Sequence, residues 1–233
     1  MLSTSVNTIP NYSGHKIEPS FGHNHKSENS YTKKQKAVVA CTTALGVAGS
    51  LALLAKRAGR SLKPSKMFKD IKNSYLARVQ YHDKEVISIG AGSCLGGLVG
   101  GYIIDKNPEN RKAKRREAVM QLGNVSIPIL TVEGFANIAK KWNKTARSLF
   151  AVAGIFTGVY LANILMNTFS NVLFKSKSGE RGVKATDFSA HLDDAVVAAS
   201  YISDAKLVHY FARIIPLALM FAGNEVGCKE KQQ

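Results

Sequence analysis

A run of 27 residues without a charged side chain, 148–174, constrains what this chain can fold into more than any other feature. A membrane crossing needs about 20 predominantly apolar residues, and this run exceeds that length. A soluble helix of the same composition would have to be buried on all sides. The run therefore predicts a membrane-spanning helix that is tilted or that ends in the lipid headgroup region.

Three further apolar stretches have the length of a membrane span. Residues 37–55 and 86–104 contain no charge, and basic side chains at both ends of the first stretch can reach the headgroups. Residues 118–139 are interrupted by Pro128, which would kink a helix, and by Glu133. We expect all three stretches to span.

The remaining segments are less regular. Residues 63–84 carry apolar side chains at helical spacing, which is typical of an amphipathic helix on a membrane surface or over a core. The C-terminal part is expected as two shorter amphipathic helices packed on the spans, or as one imperfect span at 205–224. The fold class is thus predicted as all-α, a polytopic membrane helix bundle of about four to five hydrophobic helices with amphipathic helices added.

Composition divides the chain into four parts. The first part is rich in polar residues and has no apolar run, which is typical of a disordered tail. The predicted parts are a disordered polar tail at 1–35, a helical membrane domain at 36–175, a C-terminal helical segment at 176–228 and a polar tail at 229–233.

Glycines repeat every four residues in the stretch 86–104. Two registers occur, and 148–174 repeats the spacing. The predicted helix-packing residues are Gly92, Gly96, Gly100, Gly97, Gly101, Gly154 and Gly158. Glycines four apart form a flat stripe that lets a second helix approach closely. The partner is expected to be another copy of the chain, in a homo-oligomer, or a membrane partner helix such as 148–174.

The glycine-rich stretch resembles the glycine-zipper segments of several small bacterial membrane and envelope proteins. The resemblance covers about a dozen residues and implies a packing surface rather than an activity. With it we expect a membrane location, in the bacterial inner membrane. Gly96→Leu, alone or with Gly100→Leu, is expected to weaken helix association without preventing insertion. Leu98, about 200° around the helix from Gly96, is expected to face lipid.

Four polar residues inside the predicted spans are candidates for an intramembrane site. Polar groups in a bilayer usually face a cavity or a partner helix, and such residues are often functional. The candidates are Glu133, Asn137, Asn163 and Asn167. A small transporter or channel component is therefore the alternative function.

The chain is strongly basic. Lys and Arg number 32 against 16 Asp and Glu, which gives a net charge of +16. The densest cluster is expected to bind anionic lipid headgroups and consists of Arg111, Lys112, Lys114, Arg115 and Arg116. The connectors 56–85 and 105–117 are both basic, so the positive-inside rule does not orient the chain. A soluble helical nucleic-acid-binding protein is a second alternative, disfavoured because aromatic residues do not alternate with the basic ones.

No motif indicates catalysis. The three cysteines form no CxxC pair and no disulfide framework. One set of potential metal ligands has spacings that fit no ligand motif: His191, Asp194, Asp204 and His209. We therefore expect no enzyme, no cofactor and no metal. The favoured function is that of an integral membrane protein with a structural or interaction role, whose partners are the lipid bilayer and its anionic headgroups.

Overall fold

The structure, a computed structural model, describes residues 31–59, 83–175, 182–183, 187–188, 191 and 214–231. Every regular element in these ranges is a helix, as predicted. The five α-helices in chain order are α1 (Lys33–Arg57), α2 (Asp83–Ile104), α3 (Pro108–Ile138), α4 (Lys144–Phe174) and α5 (Ile215–Gly227). A 3₁₀ turn, Ala139–Lys141, lies between α3 and α4.

Three of the described helices, α1, α2 and α4, are long and apolar enough to cross a membrane. They contain the predicted spans 37–55, 86–104 and 148–174, so the prediction of helices with the length and hydropathy of a span is confirmed for these stretches. The prediction of four to five spans is not confirmed. Helix α3 covers 118–138 of the predicted span 118–139 but is more polar. Helix α5 has 13 residues, or about 20 Å, which is short of a bilayer.

Polar side chains cap the helices where the sequence supplies them. Thr32 and Gln35 form a reciprocal capping box at the start of α1. Asn107 caps α3 and Pro108 occupies its first turn, as predicted. Asn143 caps α4, because its side-chain oxygen accepts the Ala146 N–H at 2.7 Å. These caps satisfy backbone N–H groups that would otherwise lack partners.

The helices pack as a bundle in which α1 and α3 run antiparallel to α2, α4 and α5, so that α2 and α5 are parallel. The end of α2 lies beside the start of α1, where Gln35 Nε2 donates to the Ile104 carbonyl at 3.4 Å. Helices α3 and α4 form a hairpin, and α5 packs against α2, α1 and α3. We name one end of this bundle the Lys114 end. It contains the starts of α1 and α3 and the ends of α2, α4 and α5.

Helix α3 runs without interruption from Pro108 to Ile138 through Pro128. Three apolar clusters fill the space between the helices. The largest joins four helices, and its members include Val47, Ile89 and Leu219. The second joins α3 to α4 and includes Val132. The third, between α2 and α5, includes Cys94.

Large apolar side chains also cover the outside of every described helix. Examples are Leu45 at 71% exposure, Leu95 at 63%, Leu130 at 63%, Val172 at 73% and Phe221 at 61%. A soluble monomer rarely exposes apolar surface this extensively. The outside of the bundle therefore suits lipid rather than water.

Several predictions concern residues outside the described ranges. They include the tail up to residue 30 and most of the amphipathic segment 63–84. In the described part of the chain, α5 lies inside the predicted C-terminal segment 176–228 and packs against the helices of the predicted membrane domain. Helix α1 begins at Lys33, which lies inside the predicted tail 1–35.

Candidate functional site

Four parts of the chain meet around one fully buried lysine at the Lys114 end. Lys114 Nζ donates to the Tyr31 hydroxyl at 2.7 Å and to the Lys229 carbonyl at 2.6 Å. It lies 3.5 Å from Asp105 Oδ2 and 4.7 Å from the centre of the Tyr31 ring. Because the side chain is 0% exposed, these groups replace its hydration. The contacts link Tyr31, which precedes α1, to the α2–α3 turn, to α3 and to the residues after α5.

The Asp105 carboxylate is the negative partner in this cluster. It accepts a hydrogen bond from the Tyr31 hydroxyl, one from the Asn107 N–H at 2.8 Å and one from Asn110 Nδ2 at 2.8 Å. Three donors and the nearby Lys114 ammonium therefore compensate the charge. These contacts offset the cost of removing the carboxylate from water.

The environment shifts the pKa of each group in the cluster. Burial lowers the pKa of Lys114, although the Asp105 charge opposes this shift. Burial and the Asp105 carboxylate both raise the pKa of Tyr31. Burial alone would raise the pKa of Asp105, but its hydrogen bonds from Tyr31, Asn107 and Asn110 and the charge of Lys114 hold that pKa below its ordinary value.

Acid is expected to destabilise the Lys114 end. The folded pKa of Asp105 lies below its ordinary value of 3.8, so the ionised carboxylate contributes its full stabilisation above that pH. The contribution is lost as the pH falls from 3.8 through the folded pKa. We expect the unfolding temperature in detergent to fall over this interval. Asp105→Asn should flatten that fall, whereas Glu109→Gln, at a largely exposed position, should keep it. An identical acid dependence for wild type and Asp105→Asn would contradict this prediction.

A second polar cluster lies on α3 deeper in the bundle. Gln121 Nε2 donates to Glu117 Oε1 at 3.0 Å and to Glu225 Oε2 at 2.6 Å. Lys229 Nζ lies 3.5 Å from Glu117 Oε2. Glu117 and Gln121 are both 2% exposed. One amide group therefore joins two carboxylates across the interface between α3 and α5.

The first glycine register of α2 faces α1. A Cβ added at Gly92 would lie 2.6 Å from the Gly46 carbonyl oxygen, and one at Gly100 would lie 2.9 Å from the Val39 Cα. At Gly96 it would overlap the Thr42 carbonyl oxygen. The two backbones are thus too close for any side chain at these positions.

The second register of α2 faces α5. A Cβ at Gly97 would overlap the Gly223 carbonyl oxygen, and one at Gly101 would lie 2.8 Å from the Gly227 carbonyl oxygen. Ser93, one turn earlier, donates to a carbonyl of α5 at 2.7 Å. The partners of both registers are therefore helices of the same chain, and neither is 148–174.

Glycines of α4 make a similar contact with α3. A Cβ at Gly154 would lie 2.8 Å from the Val132 Cα, and one at Gly158 would lie 2.5 Å from the Pro128 Cα. The Thr131 hydroxyl lies 2.9 Å from the Gly154 carbonyl oxygen. All seven predicted packing glycines thus lie at helix–helix contacts inside the chain.

Leu98 does not face lipid, contrary to the prediction. It packs against the cluster of Cys94, Ala222 and Val226 at the α2–α5 interface. The prediction considered only one partner helix, whereas α2 has neighbours on more than one side. The outward position near the stripe is Leu95, which is 63% exposed.

The structure separates the predicted intramembrane polar residues. Glu133 and Asn137 are exposed on the outside of α3, away from the bundle interior. Asn167 is buried on α4, and its Nδ2 donates to Asn163 Oδ1 at 3.3 Å. The four residues therefore do not form one site.

The predicted headgroup cluster is also divided. Lys114 is fully buried, so the prediction that it binds headgroups is wrong. Arg111 donates to two backbone carbonyls at the end of α2, and Arg116 donates to an α4 side chain. Lys112 is half-buried and Arg115 is exposed. A cluster continuous in sequence is distributed around α3 because successive helical residues are about 100° apart.

Several residues of the two polar clusters and of α5 were not identified from the sequence. They are Tyr31, Asp105, Glu117, Gln121, Gly223, Glu225 and Gly227. The two glycines are four residues apart, and this spacing could have indicated a packing surface. Tyr31 and Asp105 are 74 residues apart, and no local pattern connects them.

Of the weak metal-ligand set, only His191 is described, and it is buried. Within the described ranges, no group of three His, Cys, Asp or Glu side chains could hold a metal ion. The chain matches no protein-family model, and neither the curated proteins nor the solved structures contain a significant match to it.

Proposed function

We propose that this chain is an integral membrane protein with a structural or interaction role, built around a glycine-zipper helix. The observation that carries the proposal is the pair of glycine registers on α2. The backbone of α1 approaches α2 closely at Gly96, and the backbone of α5 does so at Gly97. Close backbone approach is the usual means by which helices associate in lipid, where burial of apolar side chains provides no net driving force.

The surface supports the same proposal. The three helices of spanning length expose leucine, valine and phenylalanine side chains around the bundle. Trp142 is 59% exposed beside Lys140 and Lys141 at the end opposite Lys114. Tryptophan next to lysine is typical of the boundary between lipid tails and headgroups.

Basic residues at the Lys114 end support binding of anionic headgroups. Lys33, Lys34, Arg115 and Lys175 are exposed there. Each exposed basic residue near an anionic surface contributes about 1 kcal/mol of attraction. The glycine-zipper resemblance makes the bacterial inner membrane the proposed location. A homo-oligomer remains a proposal, to which the outward-facing apolar side chains of α1 and α4 would contribute.

Alkaline carbonate extraction tests membrane residence. We expect the full-length chain to stay in the membrane pellet and to require detergent for release, because α1, α2 and α4 would cross the bilayer. A peripheral protein held by its positive charge would be released, since high pH and salt weaken headgroup contacts. Recovery in the alkaline supernatant would overturn the proposal.

The alternative, a transporter or channel component, is favoured by one observation. The bundle interior contains buried polar side chains on α3, which a purely structural bundle does not require. Glu133, the sequence-based candidate, is on the outside of the bundle, so the residues that bear on this alternative are Glu117, Gln121 and Asn124.

A further inference from the structure

Basic side chains are concentrated where the start of α3 meets the end of α4. Arg116 Nη2 donates to Asn171 Oδ1 at 2.7 Å, which fixes the register of the two antiparallel helices at this end. Lys112 lies one turn before Arg116 on α3, and Lys175 lies one turn after Asn171 at the end of α4. The two lysines therefore flank the Arg116–Asn171 contact on its outer side. We name Lys112, Arg115, Arg116 and Lys175 the α3–α4 basic cluster.

Three members of this cluster have no acidic partner in the described part of the chain. They are Lys112, Arg115 and Lys175, none of which forms an ion pair within those ranges. Glu109 is one turn before Lys112, but its carboxylate pairs with Lys231 Nζ at 3.1 Å. The other ion pairs shown at this end are Lys114 with Asp105 and Lys229 with Glu117. The described carboxylates thus leave an excess of positive charge beside α4, and such a surface attracts anions.

Apolar surface continues from the α3–α4 basic cluster along α4. Val172 is 73% exposed, Leu173 is 53% exposed and Phe169 is 52% exposed. They occupy the last two turns of α4, directly before Lys175. An anion that carries hydrocarbon chains contacts both surfaces, whereas a free anion contacts only the charges. Basic sites between helices at a membrane surface bind lipid headgroups that carry several phosphate charges.

We propose that the α3–α4 basic cluster binds one phospholipid that has two phosphate groups. The inference rests on the proposed membrane function, and it adds a single site to the general attraction between the basic surface and headgroups. Charge complementarity favours this class of lipid, because one phosphate would leave two of the three cations without an ionic partner. Arg115 is exposed, and a guanidinium binds phosphate through two parallel hydrogen bonds. Lys112 and Lys175 contribute as point charges on either side.

Native mass spectrometry of the purified full-length protein in detergent tests the proposal. Cardiolipin, which has two phosphates, should be retained as one lipid per chain. Phosphatidylglycerol, which has one phosphate, should be retained less at equal phosphate concentration. Pyrophosphate, which has no hydrocarbon chain, should not be retained. Equal retention of the two lipids, or retention of pyrophosphate as strong as that of cardiolipin, would overturn the proposal.

Two double variants distinguish a single site from a diffuse attraction. Lys112→Gln with Lys175→Gln should weaken cardiolipin binding by about thirtyfold, the effect of losing two contacts between basic residues and an anionic headgroup. Lys33→Gln with Lys34→Gln is the matched control, since it removes the same charge from exposed positions at the same end but on α1. This control should bind cardiolipin nearly as the wild type does.

The unfolding temperature without lipid should not fall in either double variant, because all four lysines are exposed or half-buried. Added cardiolipin should raise that temperature in the wild type and in the α1 variant, and much less in the α3–α4 variant. Equal loss of binding in the two variants would show a diffuse attraction and would overturn the single site. Carbonate extraction reports on membrane residence independently, so a chain that stays in the pellet and fails this test loses only the lipid site.

Discussion

Gly97→Ala is expected to destabilise the bundle by about 3 kcal/mol, at the upper end of the usual effect of overpacking. The added methyl group would overlap the carbonyl oxygen of Gly223. A backbone atom inside a helix cannot rotate away as a side chain would, so α2 and α5 must separate. Insertion should be unaffected, because alanine is at least as apolar as glycine. The measurements are thermal unfolding in detergent and carbonate extraction of the same variant.

Gly49→Ala is the matched control. Gly49 lies in α1, also a helix of spanning length, but a Cβ there would meet no atom within 4 Å. Alanine has the higher helix propensity, so this variant should be neutral or more stable by up to about 1 kcal/mol. Equal destabilisation of the two variants would show that glycine is required for a reason other than helix contact.

In the first glycine register, Gly96→Leu is the corresponding substitution. Gly96→Leu should separate α1 from α2, because its Cβ would overlap the Thr42 carbonyl oxygen. The control is Leu95→Ala rather than Leu98→Ala, since Leu98 is part of the α2–α5 interface. Leu95 points outward and should tolerate truncation.

Lys114→Met is expected to destabilise the protein by about 3–5 kcal/mol, the range for removing one partner of a buried ion pair. The variant would leave the Asp105 carboxylate, which is only 10% exposed, without its cation. It would also leave the Lys229 carbonyl without its donor. Arg115→Met is the control, because Arg115 is adjacent in sequence but exposed, and its replacement should change stability by less than about 0.5 kcal/mol.

A double substitution distinguishes charge from packing at this site. Lys114→Met combined with Asp105→Asn removes both charges, and the pair should be less destabilising than the sum of the single variants. Unfolding temperatures of the four proteins in one detergent provide the comparison. Strictly additive effects would show that the two side chains stabilise the fold independently, contrary to the 3.5 Å contact between them.

Much of the local structure followed from the sequence because its causes are local. The uncharged runs predict the three helices of spanning length, and Asn107 with Pro108 predicts the start of α3. The four-residue spacing of the α2 glycines predicts a close contact, since it depends only on helical periodicity. The prediction that Leu98 faces lipid was wrong because its burial depends on contact with α5, a helix distant in sequence.

The amino-acid sequence by itself determined that the described chain is helical and apolar enough to enter a membrane. Length, charge and periodicity are properties of each segment alone. Only the tertiary structure decided that the two glycine registers of α2 pack against two different helices, α1 and α5. It also decided that Lys114 is buried rather than exposed. Lys114 forms an ion pair with Asp105. It also donates hydrogen bonds to the Tyr31 hydroxyl and the Lys229 carbonyl, which belong to residues distant in sequence. A charged side chain can be buried only where such partners meet it, and packing alone brings them together.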